Sequence, residues 1–199
     1  PLHVKHVVAG FDFTYGRKGR GNMELLKEQG EGIFSVTTIP KVDMDGEKVS
    51  STRIRQELQD GNVGEVHKLL GRPFYLKGKV VKGFQRGRTI GYPTANIEVS
   101  PDYLIPKIGI YAVRVIHNEN SYYGMASIGY NPTFDDEHVK PSIEVYIFDF
   151  NGNIYDEELK LELFEYIREE KKFSGIEELK EALNEDEEKI RAYFSTSIK

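Results

Sequence analysis

The sequence GKVVKGFQRGRTIGYPTANI, residues 78–97, joins two apolar segments through a loop rich in glycine and arginine. Alternating apolar and polar side chains before the loop predict a strand, and the glycines predict a turn. The chain then enters another strand and not a helix, and the G-x-x-x-x-G-K-[ST] spacing is absent, so the loop is not a P-loop. A glycine-rich loop between two strands is typical of an antiparallel sheet.

The residues from 72 to about 170 continue this pattern of short strands separated by turns. The segment ELKLELFEYIREE has the composition of a helix, but Leu159, Leu161 and Leu163 alternate with charged residues and favour a strand. The strand segments therefore predict a sandwich or a small antiparallel barrel. They are FYLKGKVVKG, GIYAVRVIHN, YYGMASIG, SIEVYIFDF and ELKLELFEYIREE.

The C-terminal residues predict one amphipathic helix. Ser174 and Glu177 have the spacing of a capping box at its start. An apolar stripe lies opposite an acidic face. The stripe consists of Ile176, Leu179, Leu183, Ile190, Tyr193 and Phe194.

The N-terminal part has a different organisation. VKHVVA predicts a strand, a glycine-rich loop follows, MELLKEQG predicts a helix and IFSVTTIP predicts a second strand, which is an α/β pattern. Two more helices are expected, one ending at Gly61 and one from Asn62 to Gly71, with a capping box of Asn62 and Glu65. The change in character after Gly71 predicts two domains, residues 1–71 and 72–199.

The composition limits the class of protein. The chain has 199 residues, of which 39% are hydrophobic, which is enough for a packed core. No apolar run approaches the ~18 residues of a membrane span. The chain has no cysteine, so disulfides and thiolate chemistry are excluded, and we expect a cytoplasmic protein. A net charge of -5 argues against a general nucleic-acid binder, and we expect no nucleic-acid or membrane partner.

The glycine-rich loop nevertheless lies in a locally basic region. Glycines leave backbone N–H groups open to an anion, and arginines provide forked donors for phosphate oxygens. The loop is thus a candidate phosphate clamp; the alternative is a surface hairpin with solvated arginines. Residues 72–98 contain one acidic residue, Glu98, and the cations Arg72, Lys77, Lys79, Lys82, Arg86 and Arg88.

Two polar residues follow the loop in the sequence PTAN. Side chains at positions i and i+2 of a strand share a face, so Thr94 and Asn96 present neutral oxygens in the same direction. Such oxygens suit a Mg²⁺ ion that also binds nucleotide phosphates. The pair is therefore a candidate metal site.

Residues 78–97 closely resemble the flavokinase signature of riboflavin kinases. The resemblance continues in order through IGIYAVRV, GMASIGYNPTF, SIEVYIFDFNGNIYDEEL and IREEKKFSGIEELKEAL, and covers about residues 72–199. The first 71 residues resemble the C-terminal half of the adenylyltransferase domain in bacterial bifunctional riboflavin kinase/FAD synthetases, through GFDFTYGRKGRGN and VSSTRIR. The resemblance implies an α+β protein: a small Greek-key-type antiparallel β-barrel with a C-terminal helix, preceded by a partial Rossmann-like α/β segment.

The resemblance also implies a reaction, the Mg²⁺-dependent transfer of the ATP γ-phosphate to the 5′-hydroxyl of riboflavin, giving FMN and ADP. Thr94 and Asn96 match the family's metal ligands, with Mn²⁺ and Zn²⁺ left open as alternatives to Mg²⁺. The glycine-rich flap would cover the ATP phosphates. The flap residues are Gly83, Arg86, Gly87, Arg88 and Gly91.

Glu144 matches the family's catalytic glutamate and would accept the alcohol proton or only orient the alcohol. The strand pattern alone favours the alternative, a solvated Glu144 on the polar face of a half-buried strand. The resemblance further assigns the flavin to Asn131, Pro132, Thr133 and Arg168. The alternatives there are a proline turn and a surface charge.

In the N-terminal part, Ser51, Thr52 and Arg55 match a nucleotide-phosphate motif of intact adenylyltransferases, and the alternative is a helix cap with a surface arginine. The intact protein is expected to be an FMN adenylyltransferase as well, but this segment alone is not. An incomplete sheet would expose an edge for self-association.

Two other functions compete with the kinase. One is a flavin- or nucleotide-binding module without turnover, and the other is a small barrel that binds nucleic acid. Thr94, Asn96 and Glu144 occur together, and a simple binder would not need all three. The expected ligands are therefore ATP, riboflavin and FMN.

Overall fold

The computed structural model describes residues 3–83, 86–130 and 141–197, with only the backbone at Arg86, Arg88 and Ser197. The chain divides into two compact units, Pro1–Ser50 and Ser51–Lys199. The boundary at Ser50 is set by the contacts within each unit. The predicted boundary after Gly71 was instead set by the change from helical to strand segments in the sequence. In the described residues, no helix combines the length and apolar composition needed to cross a membrane.

The first unit has the predicted strand–helix–strand order. Strands β1 (His6–Gly10) and β2 (Ser35–Ile39) pair in parallel, and helix α1 (Met23–Gly30) connects them. Asn22 begins α1 because its side chain accepts a hydrogen bond of 2.9 Å from the Leu25 N–H. The short strands β3 (Asp43–Met44) and β4 (Glu47–Lys48) form a hairpin.

Helices α2 (Ser51–Asp60) and α3 (Val63–Leu70) begin the second unit. Gly71 ends α3 in the left-handed conformation, as predicted. The capping box predicted for α3 is wrong: the Asn62 side chain makes no cap bond, and its amide donates instead to Glu57 Oε2 at 2.8 Å. The bond to a charged acceptor on α2 holds the Asn62 side chain toward Glu57, and its oxygen accepts no N–H of α3.

Six antiparallel strands close into a barrel in the second unit. The strands are β5 (Phe74–Val81), β6 (Thr94–Val99), β7 (Gly109–His117), β8 (Asn120–Tyr130), β9 (Pro141–Ile147) and β10 (Glu158–Arg168). Their spatial order is β10-β5-β6-β9-β8-β7. Strand β10 therefore returns beside β7, while β7, β8 and β9 are consecutive, which confirms the predicted Greek-key arrangement.

Alternation along each strand fills the barrel interior. The strand prediction for β10 is confirmed, because Leu159, Leu161 and Leu163 are fully buried and point inward. Their neighbours in the interior include Val145 of β9 and Ile97 of β6. The opposite side chains of the same strands therefore point outward, where a second apolar cluster forms.

Helix α4 (Ile176–Ser197) covers this outer cluster. Ile190 and Phe194 are buried in it, whereas Ile176, which the predicted stripe included, is 59% exposed. The predicted capping pair also needs correction. The Ser174 hydroxyl and N–H donate to Glu178 at 2.7 and 2.8 Å, and not to Glu177.

Candidate active site

The pairing of β6 with β9 brings the predicted metal and catalytic residues together. Asn96 is the register partner of Glu144, and Thr94 is the partner of Tyr146. These side chains point outward, because Ala95 between them packs toward the barrel interior. The Thr94 hydroxyl donates a hydrogen bond of 3.0 Å to Glu144 Oε2.

Two glycines of the flap pack tightly near the start of β6. A Cβ atom at Gly83 would lie 2.1 Å from the Asn96 amide nitrogen, so the Asn96 side chain lies directly on the Gly83 backbone. A Cβ atom at Gly87 would lie 2.1 Å from the Tyr92 carbonyl oxygen. A Cβ atom at Gly91 would meet no described residue within 4 Å, but the φ of +91 at this position strains other residues. Close packing therefore requires glycine at 83 and 87, and the backbone turn favours it at 91.

The flap itself contains a 3₁₀ turn, Arg86–Ile90. The Tyr92 N–H donates to the Gly87 carbonyl at 2.9 Å and closes it. The backbones of Arg86 and Arg88 lie in this turn. The turn and the Thr94 hydroxyl line the same cavity.

The cavity has a volume of about 1060 Å³ and walls of three kinds. Thr94, Ser127 and Glu144 form a polar part, and they are neighbours on adjacent strands. Apolar side chains of the outer barrel face, the flap and α4 form a second part, and charged residues at and after the end of β10 complete the lining: Arg168, Glu170, Lys171 and Lys172. The apolar lining residues are Ile90, Ile110, Met125, Phe173, Ile176, Leu179 and Leu183. Such an arrangement suits a ligand with a polar end and a large apolar body.

Helix α4 is fixed to the strands near the cavity. The Tyr92 hydroxyl donates to the side-chain oxygen of Asn184, and the Tyr92 ring packs edge-on against Tyr146, with centroids 5.0 Å apart. Burial and the negative charge of Glu187 raise the pKa of the Tyr92 and Tyr146 hydroxyls. Both tyrosines are therefore neutral hydrogen-bonding groups at physiological pH.

Arg168, predicted as a flavin contact, lines the cavity. Its Nε atom is 3.0 and 2.9 Å from the two carboxylate oxygens of Asp186 on α4. Asp186 belongs to the acidic run NEDEEK, yet it is 1% exposed and is paired with the Arg168 guanidinium.

Part of the basic region predicted around the flap is neutralised by the barrel. Lys77 pairs with Glu158 at 2.6 Å, and Lys79 pairs with Asp156 at 2.9 Å. These carboxylates belong to β10 and the loop before it, which are distant in sequence. Neither lysine lines the cavity, whose cationic lining residues are instead Arg168, Lys171 and Lys172.

The structure does not place the other predicted residues in this site. Asn131, Pro132 and Thr133 lie outside the described residues. Ser51 and Thr52 are the first two residues of α2, and Arg55 is exposed on the same helix. A nucleotide-binding role for these three stays a prediction.

Ser127 is a candidate that the sequence did not single out. It is the register partner of Glu144 on β8, lines the cavity and has no side-chain hydrogen bond within the described part of the chain. In GMASIG it is a lone polar residue at an outward position, but alternation alone does not distinguish it from a surface serine. Only the pairing of β8 with β9 places it next to Glu144.

Two family models match the chain. The riboflavin kinase (flavokinase) model matches residues 70–194, and the FAD synthetase model matches residues 1–53. The first range contains the barrel, the cavity and α4 down to Phe194. The second contains the α/β unit and the first residues of α2.

Curated relatives are bifunctional riboflavin kinase/FMN adenylyltransferases. The protein of Listeria monocytogenes is 50% identical over 194 residues, which are 98% of this chain and 62% of the relative. That of Bacillus subtilis is 44% identical over 195 residues, with the same coverage of 98% and 62%. The chain thus spans about three fifths of the length of these relatives.

One solved structure shares the fold over almost the whole chain. It is described as a macrolide-efflux protein from Streptococcus pneumoniae, with a TM-score of 0.85 and 42% sequence identity. The match covers 94% of this chain and 60% of that one.

Proposed function

Because this chain belongs to the riboflavin kinase family, we propose that it transfers the γ-phosphate of ATP to the 5′-hydroxyl of riboflavin, giving FMN and ADP. The observation that carries the proposal is the Thr94–Glu144 hydrogen bond in the polar part of a cavity that also has a large apolar wall. The Glu144 carboxylate suits an alcohol, and the Thr94 hydroxyl next to a glycine-rich flap suits a nucleotide phosphate with its metal ion. The apolar wall suits an isoalloxazine ring.

Glu144 meets the reacting alcohol in this proposal. Its Oε2 accepts from Thr94, and Oε1 has no hydrogen-bond partner within the described residues. Oε1 is therefore open to accept a hydrogen bond from the 5′-hydroxyl. Through this contact, Glu144 orients the nucleophile and receives its proton as the bond to phosphorus forms. In a loose transition state, the proton transfer is needed only late.

The donors present fit a magnesium ion. Thr94 gives its hydrogen to Glu144, so the lone pairs of its oxygen stay available, and Asn96 supplies an amide oxygen on the same face. Mg²⁺ is commonly held by one or two protein oxygens together with nucleotide phosphates. When bound, the ion would neutralise charge on the transferring phosphoryl group.

The flap would hold the nucleotide. Gly83, Gly87 and Gly91 add no side chains to the flap, and successive backbone N–H groups in a turn form a concave anion site. Arg86 and Arg88 add positive charge to the same turn. The ATP phosphates would thus lie between the flap and the Thr94 hydroxyl.

The flavin would occupy the apolar part of the cavity. Ile110 and Met125 of the barrel face Leu179 and Leu183 of α4 across it. Arg168 lies in the same wall as a donor for the flavin. Asn131, Pro132 and Thr133 are assigned to the flavin by resemblance alone.

The longer relatives support a second proposal for a longer protein. They combine the kinase with FMN adenylyltransferase, and the FAD synthetase model reaches residue 53 here. We assign the kinase to the segment 72–199. We assign Ser51, Thr52 and Arg55 to the adenylyltransferase of the longer protein.

The direct test is FMN formation from riboflavin and Mg-ATP, separated by chromatography. The variants are Glu144→Gln, which keeps the shape of the side chain, and Glu98→Gln, an exposed carboxylate on β6, as the control. We expect turnover by the parent and by Glu98→Gln, and a loss of at least about 100-fold for Glu144→Gln. A parent chain that binds flavin without forming FMN would instead indicate a binding module.

A further inference from the structure

Helix α4 carries a buried carboxylate that the proposed reaction does not use. Asp186 is 1% exposed, although its neighbours in NEDEEK are mostly charged residues on a surface helix. A carboxylate is costly to remove from water unless it is paired and hydrogen-bonded. Its partner therefore indicates why it is there.

The partner is Arg168, at the end of β10. In addition to the two Nε contacts, Arg168 Nη2 lies 2.7 Å from Asp186 Oδ2, and Nη1 donates to the Glu169 carbonyl at 2.9 Å. The guanidinium also faces the Phe173 ring, with Cζ 5.8 Å from its centroid. The plane of the guanidinium is thus fixed from three directions.

This fixed group still has donors to offer. A guanidinium has five N–H donors, and these contacts do not use all of them. The remaining donors belong to a side chain that lines the cavity. Arg168 is therefore an oriented donor for an oxygen atom of a ligand.

The strand register places this donor at a definite distance from Glu144. Arg168 pairs with Ile110, Ile110 with Ser127, and Ser127 with Glu144, which forms one row across four adjacent strands. At about 4.8 Å per strand, three steps make roughly 14 Å along the sheet. The row begins in the polar part of the cavity at Glu144 and Ser127, passes the apolar lining residue Ile110 and ends at Arg168.

A molecule with its alcohol at Glu144 therefore has its far end near Arg168. The ribityl chain of riboflavin leaves the central ring of the tricycle and ends in the 5′-hydroxyl. One end of the tricycle carries the two pyrimidine carbonyls, which accept hydrogen bonds, and the other end is an apolar dimethylbenzene ring. An extended molecule of this kind matches the length of the row. The donors of Arg168 then meet carbonyl oxygens of the flavin and not the ATP phosphates at the flap.

We propose that Asp186 is a positioning residue for flavin recognition: it fixes the Arg168 guanidinium so that its free N–H groups bind the carbonyl edge of the isoalloxazine. This inference rests on the proposed kinase function for the identity of the ligand. A purely structural role is a weaker explanation, since desolvation offsets most of the attraction in a buried ion pair. Arg191 and Asp149 already join α4 to the barrel at the surface.

The test measures riboflavin affinity by the quenching of flavin fluorescence, together with the KM for ATP and kcat for FMN formation. We expect Asp186→Asn to raise the riboflavin Kd by about 10- to 100-fold, with little change in the KM for ATP or in kcat. Arg168→Met should have a similar effect. The double variant should be no worse than Arg168→Met alone, because Asp186 acts through Arg168.

Asp149→Asn is the matched control, since it breaks another carboxylate–arginine pair of α4 that does not line the cavity, and it should leave the riboflavin Kd unchanged. If Asp186→Asn fails to fold, Arg168→Lys replaces it in the test. Lysine keeps the ion pair with Asp186 but lacks the forked N–H donors of the guanidinium, so this variant should bind riboflavin more weakly at an unchanged melting temperature. A parental riboflavin Kd in Asp186→Asn or in a folded Arg168→Lys, or effects that multiply in the double variant, would overturn the proposal. A parent that binds riboflavin without forming FMN would overturn the kinase function. The riboflavin Kd values of the variants would then still decide whether Asp186 positions Arg168.

Discussion

Thr94 and Glu144 are 50 residues apart in the sequence, and a hydrogen bond of 3.0 Å joins the Thr94 hydroxyl to Glu144 Oε2. The bond orients the carboxylate so that Oε1 stays open toward the cavity. It also leaves the lone pairs of the Thr94 oxygen free for a cation. One hydroxyl therefore supports both the proposed contact with the alcohol and the proposed metal site.

Thr94→Val keeps the shape of the side chain and removes this hydroxyl. We expect kcat for FMN formation to fall by about 100- to 1,000-fold, because both the carboxylate orientation and an oxygen ligand are lost. Thr94→Ser restores the hydroxyl and should retain most of the activity. Steady-state FMN formation at saturating riboflavin and ATP measures the difference.

Thermal melting of both variants controls for misfolding, since Thr94 is only partly buried. Equal activity of Thr94→Val and Thr94→Ser would show that the hydroxyl has no role in the reaction. In that case the hydrogen bond to Glu144 only packs β6 against β9.

Gly83→Ala tests the position of Asn96. The new Cβ atom would lie 2.1 Å from the Asn96 amide nitrogen, so the amide must move away from its place opposite Glu144. We expect kcat to fall by about 10- to 100-fold, the loss that follows a misplacement of about 1 Å. The measurement is FMN formation over a range of Mg²⁺ concentrations. The Mg²⁺ concentration that gives half-maximal activity should rise.

Gly64→Ala is the matched control for this substitution. A Cβ atom there meets nothing within 4 Å, and the residue lies in α3, where alanine is the better helix former. It should keep full activity and lose no stability. Parental kinetics in Gly83→Ala would mean that Asn96 tolerates displacement and is not a ligand.

Much of the barrel was predictable because parts of its strands alternate between apolar and polar residues. The leucines of β10 revealed a strand in spite of the helical composition, and the resemblance supplied the Greek-key order. Side-chain caps were harder to predict. Asn62 and Glu177 have the right spacing, but Glu57 and Glu178 compete as partners at short range.

Prediction of the site depended on how local each signal is. Thr94, Asn96 and Glu144 lie in compact motifs, and the structure brings them together across β6 and β9. Ser127 has no local signal, because its position next to Glu144 follows from strand pairing. Asp186 is three residues after Leu183 and four before Ile190, so helical spacing places it on the apolar face, but its partner Arg168 lies on another element. Long-range pairing is not visible in a single sequence.

Phe194→Ala tests how α4 is attached to the barrel. Phe194 is buried and stacks on Tyr123, with ring centroids 4.0 Å apart. Its loss should lower the free energy of unfolding by about 3–5 kcal/mol, through lost burial and the cavity left behind. Urea unfolding followed by circular dichroism measures the change.

Ile176→Ala is the control on the same helix, since Ile176 is largely exposed. Its effect on the free energy of unfolding should stay within about 0.5 kcal/mol. Similar losses in both variants would indicate that the sequence of α4 matters only through its helical propensity.

Glu162→Gln tests a charge cluster on the outer face of β10. Glu162 is buried and accepts from Lys160 at 2.6 Å and from Arg114 at 2.8 Å. Burial raises the pKa of its carboxyl, but the hydrogen bonds from Lys160 and Arg114 outweigh burial, so the pKa lies below its ordinary value of 4.5. At neutral pH, we expect the variant to lose about 1–3 kcal/mol of the free energy of unfolding, because two cations lose their charged acceptor.

The contribution of Glu162 depends on pH in a definite direction. A carboxyl whose pKa is lower in the folded state binds fewer protons there than in the unfolded chain, so its stabilisation is fully present above pH 4.5 and is lost as the pH falls through the folded pKa. The difference in unfolding free energy between the parent and Glu162→Gln should therefore shrink as acid is added below pH 4.5. Glu158→Gln, which breaks an exposed pair with Lys77, should cost little at any pH. A difference between parent and Glu162→Gln that stays constant from neutral to acid pH would show that Glu162 contributes through packing and not through its charge.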